Sequence, residues 1–479
     1  MLLDENLFSR QRRRRAFAHG TLPRALGVLT LTVDLIVLGS GTAAQSVAYP
    51  CREAGWSVTV VDSDPFGGTC SLRGCDPKKV LVGVSELVDW TRRMTGKGIS
   101  SPPPTLVWED MIGFKRTFVD DVPASTERSL QEAGIRAIQG RAHFVGPASL
   151  EVGDETLVGR HLVISAGARH APLAIPGEEH LTTSTEFLDL EQLPRRVAFV
   201  GGGYIAFEFA QIAARAGAEV SILHRGDRPL ERFDADLVAQ LVQITCDLGV
   251  DVRLRTTVTA IERRGNELIA HARGAEEMTE VAAELVVHAA GRVPEIDDLR
   301  LDVAGIERTE TGGIAVNEYL QSVSNPAVYA AGDAVASGGS LLTPVAGMQG
   351  RIVATNLLTG NTRTPTYEGI PTVVFTTPPL AAVGLDEETA RAQGLSFTTH
   401  QEDTSGWYSS RRVALGHTGF KTLVEDGTDR ILGAHLLGIH AEEIVNIFAL
   451  AVRTGLTARD LKEMVFTYPT SAYDIRHMI

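Results

Sequence analysis

The chain has 479 residues, enough for two to four domains, and its 44% hydrophobic and 22% charged residues match a soluble globular protein rather than a disordered or low-complexity one. Its 45 Lys and Arg against 59 Asp and Glu give a net charge of −14, which repels a phosphate backbone and argues against nucleic acid as a partner. Four cysteines cannot frame so long a chain with disulfides, so the expected compartment is reducing, the cytoplasm by default, and paired cysteines are expected to do chemistry.

The N-terminal stretch carries the basic run Arg12 to Arg15, and its most apolar neighbour, Ala25 to Leu38, is interrupted by Asp34, so no membrane span is expected. Residues 1–31 are read as an N-terminal extension without an assigned role. Val33 to Leu38 then reads as a buried parallel strand running into Gly39-Ser40-Gly41-Thr42-Ala43-Ala44, where a helix should start, and Ser57 to Asp62 reads as a second strand ending in an acid. Strand, glycine turn, helix, strand and carboxylate form the dinucleotide-binding grammar. Gly39 and Gly41 allow close approach of a pyrophosphate to the helix N-terminus, Ala44 takes the third glycine's place, and Asp62 is placed for a ribose. Pro50 falls inside that first helix and is expected to kink or end it early.

Next comes Gly67-Gly68-Thr69-Cys70-Ser71-Leu72-Arg73-Gly74-Cys75-Asp76-Pro77-Lys78-Lys79. Two cysteines with four residues between them, at the opening of a helix reaching about Trp90, can close a small disulfide ring, and the helix N-terminus favours thiolate. The pair is expected to be redox-active. A metal site is disfavoured because no second Cys/His pair stands at ligand spacing, and Cys51 and Cys246 read as small hydrophobes. Trp108 to Ala133 has helical spacing that Pro123 must kink or split, and Arg136 to Ser165, broken by Gly140, Gly146 and Gly153, reads as short antiparallel strands. The nucleotide grammar then recurs with Arg196 to Val200, Gly201-Gly202-Gly203-Tyr204 and Glu219 to Leu223, so two dinucleotide sites are expected. Val328 to Asp333 is a further strand ending in glycine and an acid, and Asn361 to Pro365 reads as a linker before a separate α+β domain.

With these motifs in place, the chain from Val33 onward resembles the class I flavoprotein disulfide reductases, the group containing glutathione reductase, dihydrolipoamide dehydrogenase and mercuric reductase. The resemblance is carried by Gly-Gly-Thr-Cys-x4-Cys-x-Pro-x-Lys at 67–79, Gly-x-Gly-x-x-Ala at 201–206 with Glu208, Ala-Gly-Arg-Val-Pro at 290–294, Ala-Ala-Gly-Asp at 330–333 and Leu-Thr-Pro-Val-Ala at 342–346. It implies two Rossmann-like domains, for FAD and NAD(P), and a C-terminal α+β dimerisation domain. The segments are 32–170 and 292–360 for FAD, 171–291 for the nicotinamide and 361–479 for dimerisation. By the same resemblance Cys75 is the flavin-facing thiol, which forms a charge-transfer thiolate on reduction, and Cys70 is the interchange thiol. Lys79 is the lysine beside the flavin with Glu208 as its partner, and Tyr204 is the gate over the flavin. Gly68, Thr69, Asp333, Thr343, Ala346 and Arg292 stand at cofactor-binding positions, and Gly201 and Gly203 at the nicotinamide turn.

Nicotinamide choice is a charge argument. The second unit ends in His224 where an acid would hold the two ribose hydroxyls of NADH, and Arg225 and Arg228 follow, suited to a 2′-phosphate; NADPH is expected. Two departures bear on the substrate. The family's terminal His-Pro-Thr-x-x-Glu is here Tyr468-Pro469-Thr470-Ser471-Ala472-Tyr473, so a phenol stands where the histidine base would be. Tyr49 replaces an arginine typical of glutathione reductases, and His477-Met478-Ile479 contain no vicinal cysteine pair of the mercuric reductase kind. The expected function is a homodimeric, NADPH-oxidising disulfide oxidoreductase passing electrons through FAD and Cys70–Cys75 to a small disulfide or other thiol-reactive oxidant, with no resident metal. The alternatives are reduction of a metal ion or quinone, or a flavin-binding redox sensor with little turnover.

Overall fold

A computed structural model of the chain describes residues 29–100, 102, 104–274, 277–335 and 341–479. The first nucleotide unit is built on β1 (Leu29–Leu38), α1 (Thr42–Glu53) and β2 (Val58–Asp62). Leu35, Ile36 and Val37 are fully buried, as a strand covered on both faces requires. β1 pairs in parallel with β2 on one side and with strand Glu155–Ile164 on the other, Leu38 lying opposite Val61 and Ile164. Strand Val328–Ala330 adds in parallel beyond 155–164, with Ala330 also opposite Ile164. The carboxyl ends of these four strands therefore line up, and the glycine turn after β1 and Gly332-Asp333 after the last strand open onto one crevice. Ligands of open α/β sheets bind at such an edge.

Three expectations are corrected in this unit. The first strand begins at Leu29 rather than Val33 because Leu29 to Val33 pair with Glu155 to Gly159, so residues 29–31 belong to the sheet; residues 1–28 of the expected extension lie outside the described residues. α1 continues through Pro50 to Glu53. The proline sits in the last turn, where its missing N–H removes a single bond to the Ser46 carbonyl. In the expected antiparallel stretch, Ala142–Gly146, Ser149–Val152 and Glu155–Ile164 do form an antiparallel meander, but Arg136–Gln139 pairs in parallel with β2. Pro123 splits the preceding helix into Trp108–Val119 and Val122–Glu132, lying in the first turn of the second, where no N–H is needed.

The second unit repeats the pattern. Strands Asp251–Arg253, Glu219–Leu223, Arg196–Val200 and Leu285–His288 form a parallel sheet in that order, and helix Tyr204–Arg215 follows the glycine turn. The chain passes between the two units along Ala168–His170 and Arg292–Pro294, which pair antiparallel. The C-terminal unit is a five-stranded antiparallel sheet ordered Thr372–Val374, Leu380–Gly384, Ile431–Leu437, Gly419–Glu425 and Phe397–Asp403. Helix Ala441–Thr454 covers it with buried Ile444, Val445, Phe448 and Val452.

Candidate functional site

The first glycine turn is shaped by two close approaches. Gly39 has φ +100°, and a Cβ there would lie 2.3 Å from the Ser165 carbonyl oxygen. Gly68 has φ +79°, and its Cβ would lie 2.4 Å from Gly41 Cα, so the loop carrying the cysteines rests backbone to backbone on the nucleotide turn. Asp62 at the end of β2 accepts from the Ser40 amide at 2.8 Å and hydroxyl at 2.6 Å, and from the Asp64 amide at 3.0 Å, while burial raises its pKa. The Ser40 hydroxyl in turn accepts from the Gly67 amide at 3.0 Å. Ala44 is buried in α1.

Gly67 leads into α2 (Gly68–Arg73), which carries Thr69 and Cys70, and Gly74 separates it from α3 (Cys75–Met94). Both thiols are free, Cys70 half-buried and Cys75 exposed. Their protonation is driven apart. A hydrogen bond from Cys70 holds the Cys75 thiol down at about 6, helped by Thr343 and by the Lys78 charge against the opposing effect of burial. Cys70 is pushed strongly upward, first because it is the donor to Cys75 and then by burial. The Thr343 hydroxyl lies 3.5 Å from Cys75 Sγ at the start of helix Thr343–Thr359.

The lysine assignment is corrected. Lys78, not Lys79, pairs with Glu208: Lys78 Nζ lies 2.7 Å from Glu208 Oε1, with both side chains buried. Lys79 is 43% exposed, with Glu86 4.0 Å away. Because α3 begins at Cys75, residues 78 and 79 point about 100° apart, and only the first faces helix Tyr204–Arg215. The Phe375 ring lies 4.2 Å from the Lys78 ammonium and 4.4 Å from that of Lys79, and the Phe375 amide donates to Glu208 Oε1 at 2.8 Å. Sequence reasoning missed Lys78 and Phe375. The adjacent lysines hid the first, and the second lies 167 residues from Glu208.

On the other side of the crevice, Gly332 has φ +72°, and Ala346 lies 3.4 Å from where its Cβ would be. Asp333 is pushed up by burial with Arg292 opposing, and Arg292, also desolvated, donates to the Ala168 carbonyl. In the second unit Gly201 has φ +124°, and its Cβ would fall 2.1 Å from the Ala289 carbonyl oxygen, whereas Gly203 faces open space at the helix N-terminus. Tyr204 bonds the Thr372 hydroxyl at 2.7 Å and packs edge-on against Phe233. His224 is turned inward against Gly202, and its Nε2 lies 2.9 Å from the Arg228 carbonyl oxygen, so it buttresses the loop. Arg225 is exposed, and Arg228 is half-buried with Nη2 donating to the Glu231 carbonyl.

Tyr468 is not brought to the cysteines of its own chain. It is 70% exposed, packs edge-on against Tyr473, and lines a cavity of about 500 Å³ with Trp407, Asp474 and His477, all from the C-terminal unit. Among the described residues no group of three or more His, Cys, Asp or Glu is placed to hold a metal, and no helix is long and apolar enough to cross a membrane. The residues fit both expected cofactors. The crevice joins a side-chain-free glycine cradle, a helix N-terminus and half-buried acids at Asp62 and Asp333, which suits a dinucleotide. The second turn offers the same cradle with cations beyond it.

The chain matches the family described as pyridine nucleotide-disulphide oxidoreductase over residues 33–350, and that family's dimerisation domain over residues 370–479. It is 33% identical to glutathione reductase of Nostoc sp. over 93% of this chain and 98% of that one. It is 30% identical to mercuric reductase of Staphylococcus aureus over 92% and 81% of the two chains, and 30% identical to dihydrolipoyl dehydrogenase of Halobacterium salinarum over 93% and 95%. Among solved structures it is similar to the Cu(II) complex of the HOCl-induced flavoprotein disulfide reductase RclA from Escherichia coli, with a TM-score of 0.83 at 28% identity over 93% of this chain and 98% of that one. The dimerisation-domain match supports a homodimer. With the first match spanning the cysteine loop and both nucleotide turns and the second spanning the C-terminal unit, the chain belongs to the pyridine nucleotide-disulphide oxidoreductases, enzymes that use FAD and NAD(P)H.

Proposed function

We propose that this protein is an NADPH-oxidising reductase, cytoplasmic and homodimeric, that passes electrons through FAD and the Cys70–Cys75 pair to a small disulfide or another thiol-reactive oxidant. The observation that carries this reading is the pair of free thiols at the opening of α3, with the Thr343 hydroxyl 3.5 Å from Cys75 Sγ and the buried Lys78–Glu208 pair one turn along the helix. FAD, when bound, supplies the two-electron relay between nicotinamide and disulfide. The chain's own residues do the rest. Gly39, Gly41 and Gly68 admit the pyrophosphate, and Asp333 with Arg292 holds the opposite side of the crevice. Tyr204 and Phe233 shape the entrance to the second site. Lys78, ion-paired with Glu208, stabilises the Cys75 thiolate. In the second half of the cycle Cys70, deprotonated as it attacks, opens the substrate disulfide to a mixed disulfide. The Cys75 thiolate attacks Cys70 to close the ring, one departing thiolate takes the proton that Cys70 gives up, and the other takes a proton from solvent. Arg225 and Arg228 beyond the second turn favour the 2′-phosphate of NADPH over NADH.

A second reading, a metal ion as the substrate to be reduced, is favoured by the accessible dithiol and by the likeness to the Cu(II) complex of RclA. One experiment tests both. NADPH oxidation is followed with glutathione disulfide, lipoamide, other small disulfides, Hg(II), Cu(II) and quinones. Sustained turnover with a disulfide supports the first reading, turnover with Hg(II) or Cu(II) alone supports the second, and a single stoichiometric bleach with every oxidant overturns both.

A further inference from the structure

Helix Tyr204–Arg215 presents one polar stripe that the proposed function does not use in full. Its positions 204, 208, 211 and 215 recur at spacings of four, three and four residues and so lie on one face. All four bond to one short stretch of the C-terminal unit. The Tyr204 hydroxyl meets Thr372 at 2.7 Å, and Glu208 Oε1 accepts from the Phe375 amide at 2.8 Å. Gln211 Oε1 accepts from the Thr377 amide at 2.9 Å, and Arg215 Nη2 donates to the Thr377 carbonyl at 3.2 Å. Glu208, Gln211 and Arg215 are 5%, 2% and 3% exposed, in a seam where apolar side chains would ordinarily suffice.

The same stripe grips α3 at two points three turns apart. Glu208 holds Lys78, and Arg215 holds Asp89 at 3.0 Å while also donating to Gln211 Oε1 at 3.1 Å. We propose that residues 372–377 are a strap from the dimerisation domain that sets the Lys78–Glu208 pair, with Gln211 and Arg215 as the positioning residues that anchor it. Glu208 Oε1 has two donors, the Lys78 ammonium and the Phe375 amide, and the Phe375 ring lies against the same ammonium. The amide and the ring are fixed only as well as their chain is, and Gln211 and Arg215 fix that chain two residues further on. A buried carboxylate with one donor removed gains freedom to swing, and its lysine follows. This inference rests on the proposed placing of Lys78–Glu208 beside Cys75 and the flavin.

The test uses full-length protein and reads Cys75 rather than turnover. Iodoacetamide labelling at Cys75, assigned by peptide mass spectrometry in a Cys70→Ser background, is followed against pH; the groups acting on this thiol include residue 70, Thr343, Lys78 and Asp76, and Arg292 from the strand Arg292–Pro294. Gln211→Leu should move the labelling midpoint upward and slow labelling at pH 6.5 about three- to tenfold, and Gln211→Glu, which keeps the acceptor for Thr377, should restore it. In the holoenzyme the flavin's reduced-to-oxidised ratio against a reference dye should fall in Gln211→Leu by up to about tenfold, about 30 mV for a two-electron couple. Should Gln211→Leu not fold, Arg215→Lys, which keeps a cation for Asp89 but gives up the Nη2 bond to the Thr377 carbonyl, carries the same expectation. A folded Gln211→Leu or Arg215→Lys that lowers the melting temperature but keeps the wild-type labelling profile and dye ratio overturns the strap. Glu208→Gln separates the two levels: if it moves both readouts and the positioning variants do not, the strap alone fails; if it moves neither, the placing of Lys78–Glu208 fails first.

Discussion

At the scale of single residues, a one-residue difference decides which lysine matters. Lys78→Met leaves Glu208 buried with its charge uncompensated, which typically costs about 3–5 kcal/mol, whereas Lys79→Met removes an exposed ammonium 4.0 Å from its nearest carboxylate and should change stability by less than about 0.5 kcal/mol. Urea unfolding of the two variants checks the contrast, and equal losses would return the role to Lys79. The motif marks a lysine after Cys75 but does not say which of two neighbours faces inward, because that depends on where α3 begins. Cys75 gives a second prediction. With its thiol held at about 6, it is mostly thiolate at pH 7 and becomes protonated as pH falls below 6, so alkylation should titrate near pH 6 instead of the ordinary value of about 8.5. A Cys75 midpoint above 8 would remove the electrostatic basis for distinguishing the two cysteines.

At the scale of elements, the nucleotide turns were legible because each is a local sentence of strand, glycines, helix and strand, although the close approaches that demand glycine, Gly39 to Ser165 and Gly201 to Ala289, are made to segments far along the chain. What stayed hidden was non-local. The start of β1 at Leu29 depends on a partner strand more than a hundred residues away, and the strand Phe397–Asp403 reads Phe-Thr-Thr-His-Gln-Glu-Asp, too polar to announce itself at a sheet edge. The nicotinamide loop shows both sides. Its arginines were visible in sequence, yet the inward turn of His224 onto the Arg228 carbonyl was not, since it follows from the space left by Gly202. Charge-assisted contacts to a phosphate contribute about 1.5–3 kcal/mol each, so replacing Arg225 and Arg228 together by Ser should lower the NADPH-to-NADH preference in flavin reduction by one or more decades while leaving NADH use nearly intact. A wild-type enzyme that uses both nicotinamides equally would refute the assignment.

At the scale of the whole molecule, the question is which subunit completes each site. Tyr468 stands where the family pattern has its proton-transferring histidine, and within its own chain it lies in a cavity formed wholly by the C-terminal unit, 70% exposed. If the dimer brings that face to the partner's thiols, Tyr468 is the group placed to donate a proton to the departing thiolate, a role its phenol O–H can fill as an acid. Tyr468→Phe should then leave flavin reduction by NADPH untouched and slow dithiol oxidation about 10²–10⁴-fold in rapid-mixing experiments. Mixed dimers locate the residue. When Cys70→Ser and Tyr468→Phe subunits are randomised, half the molecules are heterodimers, and only if the tyrosine serves its partner does each heterodimer hold one intact site, its Cys70 from one chain and its Tyr468 from the other. Activity should then rise to about a quarter of the wild-type value. If Tyr468 serves its own chain, no combination restores a site and mixing adds nothing; if it only packs at an interface, the Phe variant, which keeps the ring, loses nothing to be restored.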